Sequence, residues 1–124
     1  MTRGTIPPTD SLEITVLPGD EGSTLCLRGR LNIDSSPAFR DRLLSILQAH
    51  SPQAVIVDFS EVSYLDSSGI ATLIEGLKIA RQTQKTLCLH GLQGRLLHLF
   101  QVIGMLTLFE KHGCGKASSE SKVS

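Results

Sequence analysis

Along this 124-residue chain the apolar positions form two alternating runs, then blocks whose spacing switches between that of strands and that of helices. Leu12, Ile14 and Val16 alternate with Glu13 and Thr15, the period of a strand buried on one side. Pro18-Gly19-Asp20-Glu21-Gly22 reads as a turn, and Ser23 to Arg30 as a second strand with Leu25 and Leu27 facing the same way. The pair predicts an N-terminal hairpin. Asp34-Ser35-Ser36-Pro37 has the form of a helix start, with Ser36 as cap and Pro37 at the first helical position. Phe39, Leu43, Ile46 and Leu47 give that helix its apolar stripe, and Ser51-Pro52 ends it. Ala54 to Phe59 is apolar almost throughout, as expected of a central strand covered on both faces or nearly so.

Ile70, Leu73, Ile74 and Leu77 recur at i, i+3, i+4 and i+7, the core stripe of a helix running from Ser68 to about Gln82. Gly76 within it costs about 1 kcal/mol relative to Ala, so its presence points to a close approach. By the same spacing, Thr72, Glu75, Gly76 and Ile79 are expected on the outward strip, where a partner could reach them. Thr86 to His90 reads as a strand, and Gln93 to Ile103 as a helix stopped by Gly104. Leu106-Thr107-Leu108-Phe109 reads as a short final strand. The alternation predicts one small α/β domain. Its mixed sheet begins with an antiparallel hairpin and continues in parallel β-α units with right-handed crossovers, and helices pack on it. The folded domain is placed at 11–111, after a flexible N-terminus at 1–10. The Gly-, Ser- and Lys-rich stretch 112–124 reads as a disordered tail.

Composition narrows the partners. Twelve basic residues balance twelve acidic ones, so no strong field recruits nucleic acid or an anionic membrane. Met1 to Asp10 lacks the apolar core of a signal peptide, and no run approaches the ~20 apolar residues that span a bilayer. A soluble, cytoplasmic protein without membrane insertion is expected. Cys26 and Cys88 lie in strand-like apolar runs and read as buried thiols, with Cys114 in a Gly-rich stretch. The four histidines are scattered, and neither they nor the cysteines show zinc spacing. No metal or cofactor is expected.

The chemistry concentrates at Leu65-Asp66-Ser67-Ser68-Gly69, where a loop becomes a helix N-terminus. There the first backbone N–H groups have no intrahelical partner and the potential favours negative charge. Capping alone explains most runs of this kind. The same place also accommodates a phosphate carried on a serine hydroxyl. An enzyme is not expected. The Gly-x-Ser-x-Gly elbow and the Walker-type loop are both missing. His90, at a strand end, is the best histidine to approach Ser67, but a solvated surface role is the ordinary one for such a residue.

The stretch Val55-Ile56-Val57-Asp58-Phe59-Ser60-Glu61-Val62-Ser63-Tyr64-Leu65-Asp66-Ser67-Ser68-Gly69-Ile70 closely resembles the signature of the STAS domain, the family of anti-sigma factor antagonists. The resemblance extends over roughly residues 12 to 110, including Leu27-Arg28-Gly29-Arg30-Leu31. It implies a STAS-like fold and a partner switch. The unphosphorylated protein binds an anti-sigma factor, itself a GHKL-type serine kinase, and releases the sigma factor. Phosphorylation of one serine ends that binding, and a PP2C-type phosphatase restores it. By position the phosphorylated residue is Ser67, with Asp66, Ser68 and Gly69 as the other motif residues of the partner-binding site. A monomer is expected, with the oligomeric state left open. The chain departs from the family at Gly29-Arg30-Leu31-Asn32, where many members carry Asp in the last position. Asn32 keeps an acceptor but loses the charge, and Asp34 partly compensates. The resemblance also implies an alternative role, that of a soluble STAS subunit bound to the ATPase component of a lipid-transporting ABC system.

Overall fold

The computed structural model describes residues 12–19, 22–50 and 53–112. Eight elements follow in chain order: β1 (Leu12–Leu17), β2 (Gly22–Leu31), α1 (Ser36–Leu47), β3 (Ala54–Leu65), α2 (Ser67–Gln82), β4 (Thr86–His90), α3 (Gly94–Val102) and α4 (Met105–His112). The four strands form one sheet in the order β1-β2-β3-β4. β1 and β2 make the expected antiparallel hairpin, and β2-β3 and β3-β4 are parallel.

Alternation along the strands decides where the helices lie. Leu25 and Leu27 of β2, Val55, Val57 and Phe59 of β3, and Leu87 and Leu89 of β4 are buried, and they share one face by register. Phe39, Leu43 and Leu47 of α1, Leu73 and Leu77 of α2, Phe100 of α3, and Met105 and Phe109 of α4 close the core over that face. The intervening strand residues, Ala54, Ile56 and Asp58 among them, are only half-buried. Of the cover on both faces or nearly so expected for the Ala54–Phe59 strand, the structure shows the weaker form. Its apolar run has one sealed side and one side with partial cover among the described residues. Cys26 and Cys88 lie on that second side, half-buried rather than buried. Burial, and then the nearby Asp58 carboxylate, push the Cys26 thiol up from its ordinary value.

The elements differ from the sequence pattern chiefly at β3, at the last element and at the C-terminal end. β3 continues past Phe59 to Leu65, because its register with β2 slips by one residue between Cys26 and Arg28 and again between Gly29 and Arg30. Such bulges bend and twist a strand locally; the extra residues lie on β3, and Gly29 of β2, opposite Val62 between the two slips, takes a positive φ of 111°. The expected final strand at Leu106–Phe109 is a helix instead. Met105 and Phe109 stand one helical turn apart and are both buried, so the short apolar run follows the helical period. The expected tail at 112–124 begins one residue early, since His112 is the last residue of α4. The remainder of that stretch, residues 1–10, and the turn and helix-stop residues Asp20, Glu21, Ser51 and Pro52 lie outside the described residues.

Candidate functional site

Parallel pairing of β2 with β3 brings the loops that leave their C-terminal ends side by side. Leu31 is opposite Leu65 in register, and the Asp66 N–H donates to the Leu31 carbonyl at 3.2 Å. This is the end of a parallel sheet where ligand and partner loops gather.

Each loop is organised by a side chain that accepts from the backbone ahead of it. Asp66 sits at the N-cap of α2 in an extended conformation, and its carboxylate accepts from the Ser68 N–H at 3.0 Å and from the Ser68 hydroxyl at 2.5 Å. The Ser68 hydroxyl, together with the backbone N–H groups of Ser68, Gly69 and Ile33, holds the Asp66 carboxyl below the usual carboxylate range; partial burial opposes this. The Asn32 side-chain oxygen accepts from the Asp34 N–H at 3.0 Å and from the Ser35 N–H at 3.2 Å. The Ser35 hydroxyl donates to the Arg30 carbonyl at 2.8 Å. Asn32 thus fixes the turn into α1, and α1 begins at Ser36 with Ser35 in the cap position, one residue before the expected cap.

Ser67 is the first residue of α2, exposed to solvent, and its hydroxyl has no hydrogen bond among the described residues. Its neighbour is engaged. Besides the Ser68 hydroxyl's bond to Asp66, the Ser68 carbonyl accepts from the Thr72 hydroxyl at 3.0 Å. The two serines that the sequence placed together are therefore chemically distinct.

Gly69 is buried against the Leu31–Leu65 pair. A Cβ there would stand 2.6 Å from Leu65 Cδ1 and 2.8 Å from Leu31 Cγ, so glycine is what lets the first turn of α2 sit on the strand ends. Gly76 does for the helix pair what Gly69 does for the strand ends, since a Cβ would come within 2.7 Å of Leu43 Cδ2 on α1. Thr72 and Gly76 are buried, which corrects their expected place on the outward strip. The close approach foreseen at Gly76 is that of α1. Glu75 and Ile79 are half-buried, and Glu75 accepts two bonds from Arg40 of α1, both 2.7 Å. That ion pair holds the Glu75 carboxyl low. The expected core stripe shifts correspondingly. Ile74 is 38% exposed, while the small residues Gly69, Thr72, Gly76 and Ala80 join Leu73 and Leu77 in the buried seam. Of the residues proposed for partner contact, Asn32, Gly69, Thr72 and Gly76 are thus buried. Asp34 and Ser67 are exposed, and Asp66, Ser68, Glu75 and Ile79 are intermediate.

The outward strip of α2 instead carries Ser67, Ala71, Ile74 and Lys78, at i, i+4, i+7 and i+11, all exposed. Ile33, whose N–H reaches the Asp66 carboxylate, stands 71% exposed beside it. The sequence reading missed Ile33 and Ile74. An isoleucine inside the polar turn Asn32-Ile33-Asp34, and an apolar stripe too wide for one buried face, were the available signals. His90 ends β4 opposite Asp58, and no histidine bonds to Ser67 among the described residues. No helix among the described residues is long and apolar enough to cross a membrane.

A sheet of this order, with one sealed face and a capped Asp-Ser-Ser-Gly turn at the end of its central parallel pair, is the arrangement of a STAS domain. A family model described as "Mlab, STAS domain" matches residues 15–110, and the chain belongs to the STAS domain family. It is 32% identical over 82 residues to the anti-sigma-B factor antagonist of Listeria monocytogenes, covering 66% of this chain and 71% of that protein. Among solved structures, an anti-sigma factor antagonist from Mycobacterium paratuberculosis superposes with a TM-score of 0.69 at 22% identity, covering 84% of this chain and 87% of that one. A sulfate transporter family protein from Wolinella succinogenes has the same fold, with a TM-score of 0.63 at 21% identity over 88% of this chain and 90% of that one. At these identities the superpositions speak to the fold alone.

Proposed function

We propose that this chain is an anti-sigma factor antagonist, a cytoplasmic partner switch controlled by phosphorylation of Ser67. Unphosphorylated, it binds an anti-sigma factor with GHKL-type serine kinase activity through the surface around Ile33, Ser67, Ala71 and Ile74. Phosphorylation releases the partner, and a PP2C-type phosphatase resets the switch. Antagonist relatives support the class of activity. The observation that carries the mechanism is the division of labour between the two serines. The Ser68 hydroxyl is committed to the Asp66 carboxylate, whereas the Ser67 hydroxyl is exposed at the first position of the helix.

A phosphate adds about −1.5 to −2 charges at neutral pH. At a helix N-terminus that charge is tolerated by the unpaired N–H groups, so the domain stays folded. Against a docked apolar surface, one residue from the Asp66 carboxylate, the same charge is desolvated and unpaired, and the complex is lost. Incubation with the cognate kinase and ATP, followed by mass-spectrometric site mapping, tests the assignment. Phosphate is expected on Ser67, and phosphate on Ser68 alone would overturn it. Phosphorylation-insensitive binding to the ATPase component of a lipid-transporting ABC system would instead select the transport-subunit role.

A further inference from the structure

A short series of hydrogen bonds runs from the buried seam of α2 to the residue before Ser67. It begins at Thr72, which is 6% exposed and whose hydroxyl donates to the Ser68 carbonyl at 3.0 Å. Gly69, next to Ser68, is wedged against Leu31 and Leu65. With its backbone pinned in this way, Ser68 donates its hydroxyl to Asp66 Oδ1 at 2.5 Å. The same carboxylate oxygen accepts from the Ser68 N–H at 3.0 Å. The Asp66 main chain is anchored too, its N–H donating to the Leu31 carbonyl at 3.2 Å and its carbonyl accepting from the Gly69 N–H at 3.1 Å. Ser67 stands between these two fixed residues. It is exposed, and its hydroxyl has no hydrogen bond among the described residues.

We infer that Ser68 is a positioning residue for phosphoryl transfer to Ser67: its hydroxyl holds the Asp66 carboxylate against the start of α2 and so keeps that charge off the Ser67 oxygen. The inference rests on the partner-switch reading and adds to it a residue that sets the rate of the switch. In the transfer, a lone pair of Ser67 Oγ forms a bond to the γ-phosphorus of ATP while the bond from that phosphorus to the β,γ-bridging oxygen breaks. The electron pair of the broken bond leaves with ADP, and the hydroxyl proton passes to a base of the kinase. Ser67 Oγ must therefore face an incoming group that carries anionic oxygens. A carboxylate one residue away opposes this unless it is engaged elsewhere. Once released, it competes for the Ser67 hydroxyl and repels the γ-phosphate, the more strongly where a docked kinase excludes water. A hydroxyl bond to a carboxylate is charge-assisted and among the stronger hydrogen bonds, which suits Ser68 to hold the charge in place.

The test measures initial rates of phosphorylation of the full chain by the cognate anti-sigma kinase with ATP. The variants are Ser68→Ala, Ser68→Thr, Asp66→Asn and the combination of Asp66→Asn with Ser68→Ala, each compared with wild type at a temperature where thermal melts show it folded. Ser68→Ala should lower kcat about tenfold or more and leave KM for the chain near the wild-type value, as for an interaction that matters in the transition state. Ser68→Thr keeps the hydroxyl and should restore the rate. In the Asp66→Asn background the Ser68→Ala loss should largely vanish, because no charge is left to hold. A wild-type rate for Ser68→Ala, or an equal loss in Ser68→Thr, would overturn the inference and leave the switch intact. An undiminished loss in the Asp66→Asn background would overturn it by removing the route through the carboxylate. No phosphate on wild-type Ser67 would remove the inference and the switch together.

Discussion

The two loops that leave β2 and β3 are built alike and put to different use. Each follows a leucine of the paired strands, Leu31 or Leu65, and each is ordered by the next residue accepting backbone N–H groups two and three positions ahead. At β2 that residue is the neutral Asn32, and three further residues precede the helix. Its turn is self-contained, closed by the Ser35 hydroxyl bound to the Arg30 carbonyl. At β3 it is the ionised Asp66, and the helix starts at once with Ser67. There the cap uses up the Ser68 hydroxyl and leaves the Ser67 hydroxyl in solvent. One loop secures a helix, while the other secures a helix and displays a nucleophilic oxygen beside a fixed charge. The comparison teaches that a cap and an exposed hydroxyl are not alternatives at Asp66-Ser67-Ser68. The cap singles out one serine for solvent by committing the other.

Substitutions can break this comparison in order of expected size. Gly69→Ala should cost most, about 1–3 kcal/mol for overpacking the Leu31–Leu65 contact, read as a lowered denaturation midpoint with an unchanged slope. Gly76→Ala should cost less, because a helix-propensity gain of about 1 kcal/mol offsets its clash with Leu43. Next comes Asn32→Ala, which strands the Asp34 and Ser35 N–H groups and should cost about 0.5–2 kcal/mol, measured the same way. Asn32→Asp retains the acceptor and should stay nearer wild type than Asn32→Ala. If instead it is the worse of the two, a second charge near Asp66 matters more than the hydrogen bonds of the turn.

Acid separates the two loops without altering their shape. Because the folded chain holds Asp66 below its ordinary range, the carboxylate's contribution is complete above the unfolded value of about 4. It is lost as pH falls through the lower folded value. Thermal melts between pH 7 and 2 should therefore show the wild type losing more stability than Asp66→Asn at the acid end. Parallel curves would mean that the charge contributes nothing to the cap. The smallest effect is expected outside both loops, at the exposed Arg40–Glu75 pair. Arg40→Ala should lower the melting temperature slightly at low salt and not measurably at high salt.

The sequence pattern conveyed the hairpin and the order of the first seven elements, with Asp66 and Ser67 where a strand gives way to a helix. Strand alternation and capping residues are local signals. What it misplaced depended on packing between elements. Hydrophobicity along α2 points to Ile70 and Ile74, but α1 approaches so closely that Gly69, Thr72, Gly76 and Ala80 form the seam. Small residues are chosen there for what they lack, and an apolar count passes over them. The run Leu106–Phe109 is too short to distinguish a strand from a helical turn. Only the burial of Met105 with Phe109 decides it. Asn32 was legible as an acceptor, but its partners, Asp34 and Ser35, required the turn itself.

The central claim is that Ser67 gates a protein contact, and calorimetric titration of the cognate anti-sigma factor with wild type, Ser67→Ala and Ser67→Asp tests it most directly. Ser67→Ala removes a hydroxyl that has no hydrogen bond among the described residues, and it should bind like wild type while escaping inactivation. Ser67→Asp places one charge where the phosphate would stand, next to Asp66. It should cost a few kcal/mol, about a hundredfold in affinity, with the fold retained. If Ser67→Asp binds as tightly as wild type, Ser67 is not the gate, and a constitutive structural contact is the better account of this surface.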